Sequence, residues 1–336
     1  MNLLEQQARN RRRTWMVMTL FIAFLFFLGY GFDVLYLGTA FPVAGLVTFA
    51  VGLGSALAGY YSGDRAVLAS SHAVPLADLI PGAPETDAVR LAQLRNVVDE
   101  MAIAAGLPSP NVYVIPDDDP NAFATGRDPA HASLAVTRGL LGAVNREELQ
   151  AVVAHEMSHV RNYDIRLMTV VAALVGAVAL LSDFAARGMR FGGVGSSRRS
   201  SGSRDKGGGV AGLIFLALWL VAIMLAPIIG QLLAMMVSRQ REYLADASGA
   251  ELTRNPLALA SALQKIEFGA PAPTPSIKRG TANLCIADPL GRAAGLREGF
   301  AADLFASHPP MVKRIAALRE MAYARGHEGS GLKAQG

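Results

Sequence analysis

The sequence predicts an α+β, mainly α, integral membrane protein with about four hydrophobic segments. Three observations lead there. Of 336 residues, 52% are hydrophobic and 17% charged, with a mean hydropathy of +0.32, which is too apolar for an ordinary soluble chain. The apolar residues gather into uncharged runs on the scale of a bilayer crossing. Between the runs, helical and short strand-like patterns enclose His155-Glu156-Met157-Ser158-His159, two imidazoles one helical turn apart with a carboxylate beside the first.

Residues 1–63 read as a membrane hairpin of two spans. Thr14–Phe32 carries no charge and is rich in Phe, Leu, Ile and Met, and a second uncharged run covers Val34–Gly63, with Pro42 near its start. Either is long enough to cross about 30 Å of hydrocarbon. Arg9, Arg11, Arg12 and Arg13 precede the first span and no Lys or Arg separates the two, so the positive-inside rule puts the N-terminus in the cytoplasm. A cleaved signal peptide is the competing reading; the apolar stretch exceeds a typical signal core and no small-residue cleavage site follows it, which favours an uncleaved anchor.

Residues 64–166 read as the first part of a catalytic domain. Ala88–Ala105 has the pattern of an amphipathic helix, and Val112–Ile115 and Leu134–Thr137 of short strands. Asp117-Asp118-Asp119-Pro120 between the strands reads as an exposed acidic turn; three adjacent carboxylates cannot all face one cation in an extended chain. The next helix is well marked. Asn145 suits an N-cap, Glu147 and Glu148 suit the positive end of the helix dipole, and Leu149, Val152, Val153 and Val160 recur at helical spacing. On that helix His155 and His159 share a face within reach of one ion, and Glu156 sits about 100° round the axis, placed to take a proton from an activated water. This is the arrangement a zinc hydrolase uses.

Residues 167–238 read as a second membrane hairpin. Leu167–Ser182 is short for a span, Gly207–Ser238 is ample and contains Pro227, and a Gly/Ser/Arg-rich loop at 184–209 joins them. His159 precedes the pair and a third metal ligand is expected after it, so the two segments cross twice or not at all. Two crossings would put Arg198, Arg199, Arg204 and Lys206 outside, against the usual bias; a hairpin that enters the membrane only partly keeps them inside.

Residues 239–325 read as the second part of the catalytic domain. Ser238–Ala250 is helical in composition and offers Glu242 and Asp246 at i and i+4, one to bind metal and the other to hydrogen-bond a ligand histidine. Asn255-Pro256 starts a helix to Phe268, the run Ala270–Pro275 breaks it, and Pro309–Tyr323 forms the last helix. Residues 326–336 read as a flexible tail. His72, His131 and His327 have no partners at metal spacing, and Cys285, the single cysteine, reads as a packing residue.

The net charge of +4 is accounted for by membrane-flanking clusters, which point to anionic lipid and leave no basic face for nucleic acid. No phosphate-binding glycine loop is present, so neither nucleotide nor ATP dependence is expected.

The chain resembles the HtpX-type membrane zinc metalloproteases, relatives of the CAAX prenyl proteases. The resemblance rests on NAFATG (Asn121–Gly126), VTRGLL (Val136–Leu141), EELQAVVAHEMSHVRNYD (Glu147–Asp164), SRQREYLADASGA (Ser238–Ala250) and FASHPPMVKRIAAL (Phe305–Leu318). It implies a zincin-like (gluzincin) catalytic domain with one Zn2+ held by His155, His159 and Glu242, Asp246 behind the ligands and Glu156 as general base. It also implies that His308 and Arg314 line the site and steady a developing oxyanion, and that Asn121, Ala122, Phe123 and Ala124 lie near a strand edge that holds substrate extended. The implied function is ATP-independent cleavage of misfolded or damaged membrane proteins, in the bacterial inner membrane with the catalytic domain facing the cytoplasm. A CAAX-type prenyl protease is the alternative within the superfamily, although those relatives carry more spans. A non-catalytic zinc-bound scaffold is the alternative from another class, and it has no use for Glu156.

Overall fold

The computed structural model describes residues 3–174, 239–268, 284–287 and 309–331. It opens with two long helices, α1 (Leu3–Phe32) and α2 (Val43–Ser70), joined through a π-helical turn, Asp33–Leu37. Both are long and apolar enough to cross a membrane, over Glu5–Leu35 and Val43–Ser70. Only 28% and 22% of their most apolar windows are buried, so side chains such as Trp15, Leu20, Leu46, Val47 and Phe49 face outward. An apolar surface of that extent marks a contact with something other than water.

The second helix starts nine residues later than its uncharged run, for a local reason. Pro42 stands just before the first helical turn, where its missing N–H costs nothing. Asp33, fully buried, reaches across the connection to accept the N–H groups of Ala44 and Gly45 at 2.9 Å each. Two of the unsatisfied donors of α2 are thereby met by a residue of the preceding turn. The helices touch at Gly29, where a Cβ would collide with Thr48 and the Ala44 carbonyl. Helical residues 164–174, the beginning of the third hydrophobic run, dock on this hairpin: Leu167, Val170, Val171 and Leu174 cluster with Val17, Met18 and Phe21 of α1 and Ala56 of α2. Residues 175–238, with the basic loop 184–209, lie outside the described residues, as do Ala270–Pro275 and 332–336.

A four-stranded sheet follows, of order β1-β2-β4-β3, formed by β1 (Val74–Pro75), β2 (Asn111–Ile115), β3 (Ala122–Gly126) and β4 (Ala132–Thr137). β2 and β4 run parallel, with Val112 opposite Leu134, and β3 lies antiparallel on β4, with Phe123 opposite Ala135. After the short helix α3 (Leu76–Leu79), α4 (Glu85–Ala105) begins behind Pro84 and ends at Gly106, whose φ of 66° needs the left-handed freedom of glycine. The acidic turn differs from expectation. Asp118 alone projects outward, where Arg138 grips one of its oxygens through Nε and Nη2 at 3.1 and 2.8 Å. Asp117 and Asp119 are buried, and Asp117 Oδ1 accepts the Asp119 N–H, closing the turn on itself.

Helix α5 (Arg138–Ala143) leads into α6 (Arg146–Arg161), the helix that carries the two histidines. Every residue of α6 from Ala151 to Val160 is buried. Around it pack α4, the sheet, α7 (Arg239–Thr253) and α8 (Pro256–Phe268), and α9 (Met311–Gly331) packs in turn on α8 and α7. The shared core contains Leu94, Leu134, Val152, Met157, Leu259 and Ile315. α8 starts as expected, with Asn255 Oδ1 accepting the Ala258 N–H ahead of Pro256. The described chain is thus mostly helical with one small sheet, and among the described residues two helices have the length and composition of membrane spans.

Candidate metal centre

The N-terminus of α6 is fixed by a reciprocal capping box: Asn145 Oδ1 accepts the Glu148 N–H at 2.9 Å and Glu148 Oε2 accepts the Asn145 N–H at 2.8 Å. From that start, His155 and His159 fall on the face turned to α7. The two helices approach at Gly249, where a Cβ would stand 3.0 Å from the His155 nitrogen and 3.1 Å from its Cα. Glu242, seven residues or two turns before Gly249, lies on the same face of α7. The close approach therefore delivers its carboxylate to the histidines.

Three ligand atoms converge. His155 Nε2 and His159 Nε2 are 3.3 Å apart, and Glu242 lies 3.7 Å from the first and 3.6 Å from the second. A tetrahedral ion with bonds of about 2.0–2.1 Å spaces its ligand atoms about 3.3–3.4 Å apart. The donor set and its spacing fit a divalent metal, and among the described residues these are the three grouped for one. All three side chains are buried.

Each histidine is backed by a carboxylate on its other nitrogen. Asp246 Oδ1 lies 3.0 Å from His155 Nδ1, and Asp164 Oδ2 lies 3.2 Å from His159 Nδ1. That keeps the proton on Nδ1 and turns the Nε2 lone pair to the ion. Of the two carboxylates the sequence left open on α7, Glu242 faces the imidazole Nε2 atoms and Asp246 stands behind. Burial pushes the Asp246 carboxyl up, but the adjoining Arg314 guanidinium outweighs it and holds the pKa at about 2. Burial likewise pushes the His159 imidazole down, and Asp164, Glu242 and Glu156 overcome it, raising the pKa of the metal-free site to about 9.

Glu156 points elsewhere. Its carboxylate accepts the backbone N–H of Ala124 on β3, and burial drives its pKa above the ordinary value despite the two histidines. β3 is an edge strand, but its free side is in use. The Ala122 carbonyl accepts the Ile286 N–H at 2.9 Å. Asn121 pairs with Ala287 in both directions, through Nδ2 to the carbonyl at 2.9 Å and through Oδ1 from the N–H at 3.4 Å. Phe123 faces away, into a cluster with Ile115, Ala135 and Cys285. Cys285 is buried, as its packing role requires.

Residues 88–322 match the model of peptidase family M48. The chain belongs to peptidase family M48. A protease HtpX homolog of Thermoanaerobacter pseudethanolicus is 44% identical over 320 residues, covering 95% of this chain and 98% of the relative. One from Streptococcus gordonii is 39% identical over 320 residues, covering 95% and 100%. Among solved structures, the crystal structure of S. mikatae Ste24p aligns with a TM-score of 0.47 at 20% identity, over 91% of this chain and 66% of the other.

Within this M48 site, Arg314 lies deeper than a residue facing solvent would. It is fully buried, forks onto Asp246 at 2.8 and 2.7 Å, donates through Nη1 to the Ile286 carbonyl at 2.9 Å and sits 3.4 Å from Glu242. His308 lies outside the described residues. Sequence reasoning gave no role to Asp164, Arg241 or Asn10. Asp164 Oδ1 accepts from Asn10 Nδ2 at 2.7 Å and from Arg241 Nη1 at 3.2 Å. A carboxylate five residues past the second histidine was the one visible signal; its partners lie 154 and 77 residues away.

Proposed function

We propose that this M48 peptidase is a membrane-embedded, zinc-dependent endopeptidase. The observation that carries the proposal is the convergence of His155 Nε2, His159 Nε2 and Glu242 at the spacing of one tetrahedral ion, with Glu156 alongside on the same helix. Two imidazoles and a carboxylate are a zinc set in hydrolases. Bound there, zinc supplies a Lewis acid and lowers the pKa of water towards about 7.

The protein's own groups do the rest. Glu156, buried and with a raised pKa, accepts the proton of the attacking water and returns it to the departing amine nitrogen as the C–N bond breaks. Asp246 and Asp164 hold the two imidazoles in one tautomer and orientation. Arg314 acts as a positioning residue, keeping Asp246 ionised and offsetting part of the charge of a buried carboxylate pair. A substrate chain held extended along β3 would take main-chain hydrogen bonds and so tolerate many sequences. Ile286 and Ala287 hold part of that edge through the hydrogen bonds described above.

The biological reading is ATP-independent removal of misfolded or damaged membrane proteins in the bacterial inner membrane, with the catalytic residues on the cytoplasmic side. Support comes from the apolar helices, the arginine cluster at the start of α1 and the length-wide similarity to bacterial protease HtpX homologs. The deciding experiment compares wild type and Glu156→Gln in detergent on an unfolded protein, a membrane protein and a prenylated C-terminal peptide, with zinc assayed in both. Cleavage of the first two by wild type alone, at equal zinc, supports the reading. Cleavage confined to the prenylated peptide would replace it with a prenyl protease, and zinc with no cleavage of any substrate would leave a scaffold.

A further inference from the structure

We propose that a cavity at the N-terminal end of α1 binds a phosphate-bearing anion, and that its surroundings favour the headgroup of an anionic phospholipid. The cavity measures about 260 Å³ and lies between α1, the turn after α6, and α7; Gln6, Arg9, Arg13, Asp164, Gln240 and Arg241 are among the residues that line it. Three guanidinium groups face it against one carboxylate. That carboxylate is already committed: Asp164 Oδ1 accepts from Asn10 and Arg241, and Oδ2 is bound to His159. It cannot also neutralise Arg9 and Arg13, and among the described residues no other acidic residue lines the cavity. Arg9 Nε is buried with no hydrogen-bond partner among the described residues, a donor whose desolvation has not been offset. Guanidinium forks match phosphate oxygens in pairs and in plane.

The level of the cavity points to lipid. Two residues beyond Arg13, Trp15 is exposed and stacks on Tyr60 of α2 at 5.8 Å between ring centroids. Arg166 lies over the rings of Tyr60 and Tyr163, and Arg11 over Tyr163 at 4.5 Å. A girdle of Trp, Tyr and Arg at one height is what membrane proteins carry at the headgroup level. The outward residues that follow on α1, among them Met16 and Leu20, carry no charge. The cavity therefore opens where lipid phosphates lie. This placement rests on the membrane reading of α1 and not on peptidase chemistry. An occupant would sit beside the metal centre, since Arg241 adjoins Glu242 in the chain and Asp164 holds His159.

Native mass spectrometry of the full chain in neutral detergent, titrated with phosphatidylglycerol, with phosphatidylcholine and separately with inorganic phosphate, tests the proposal without reference to cleavage. Wild type should retain phosphatidylglycerol in preference to phosphatidylcholine. Each guanidinium that grips the bound phosphate contributes roughly fivefold, so Arg9→Gln/Arg13→Gln should bind about 25-fold more weakly. Arg11→Gln/Arg12→Gln removes the same charge outside the cavity, without a direct contact to the phosphate, and should change binding less than about threefold. Inorganic phosphate that binds and displaces the lipid would support the site and name a soluble phosphate as its source. Wild type that holds phosphatidylglycerol no better than phosphatidylcholine and takes up no phosphate would overturn the proposal without any variant. An equal loss in the two double variants would also overturn it, as charge without a site.

Discussion

Replacing Glu156 by Gln removes a proton acceptor and leaves every metal-facing atom in place. Bound zinc should equal wild type while cleavage falls by at least about 10²-fold; a Glu156→Gln protein that keeps wild-type cleavage would falsify its role as base. His159 gives a pH signature in the metal-free protein. Its pKa rises from 6.5 to about 9 on folding, so its contribution to stability is full below about 6.5 and is lost as the pH rises through 9. Thermal denaturation of chelator-treated protein should show that fall, and zinc uptake near pH 7.5 should release a proton into unbuffered solution. Asp164→Asn should weaken zinc binding by about 10–100-fold, read by competition with a chelating dye. Arg314→Ala strands Asp246 as a buried charge and should cost about 3–5 kcal/mol of stability in denaturation experiments. At this scale, His155, Glu156 and His159 were legible because their geometry is set by one helix. Spacing alone left the choice between Glu242 and Asp246 open, and only the family resemblance pointed to Glu242; Asp164 needed partners far along the chain.

Two helices in contact place the third ligand, so the spacing between α6 and α7 should matter more than either helix alone. Gly249→Ala forces a Cβ against the His155 backbone, and overpacking of that kind costs about 1–3 kcal/mol. The expected result is a lower melting temperature together with weaker zinc binding, whereas Ala250, which faces the common core, bears on stability without moving Glu242. Element boundaries were readable where a cap or a proline wrote them, as at Asn145 and at Asn255-Pro256. They were unreadable where the cap came from elsewhere, as when Asp33 closes α2 from the preceding turn. β3 shows no alternation because all five of its residues are buried, so no period-two pattern announces it. The acidic turn misled for the opposite reason, since composition suggests exposure while two of its three carboxylates point inward.

At the scale of the whole molecule, the start of the chain is fastened to the metal centre. Gln7 Nε2 donates to the Arg161 carbonyl and Asn10 Nδ2 to the Asn162 carbonyl, both at 2.9 Å, so the start of α1 is tied to the end of the helix that carries the histidines. Asn10 also donates to Asp164, which in turn accepts from His159 Nδ1 and orients that ring. The membrane hairpin and the metal centre were each visible in the sequence, but their connection was not, because no local pattern links residue 10 to residue 164. That connection sets a limit on how the enzyme can be handled. A chain trimmed to begin at residue 64 keeps the whole HExxH signature, yet loses the amide that steadies one of its ligands. Such a fragment should need more zinc to reach half-saturation than the intact protein, and assays of it would understate the enzyme for a reason that has nothing to do with lipid.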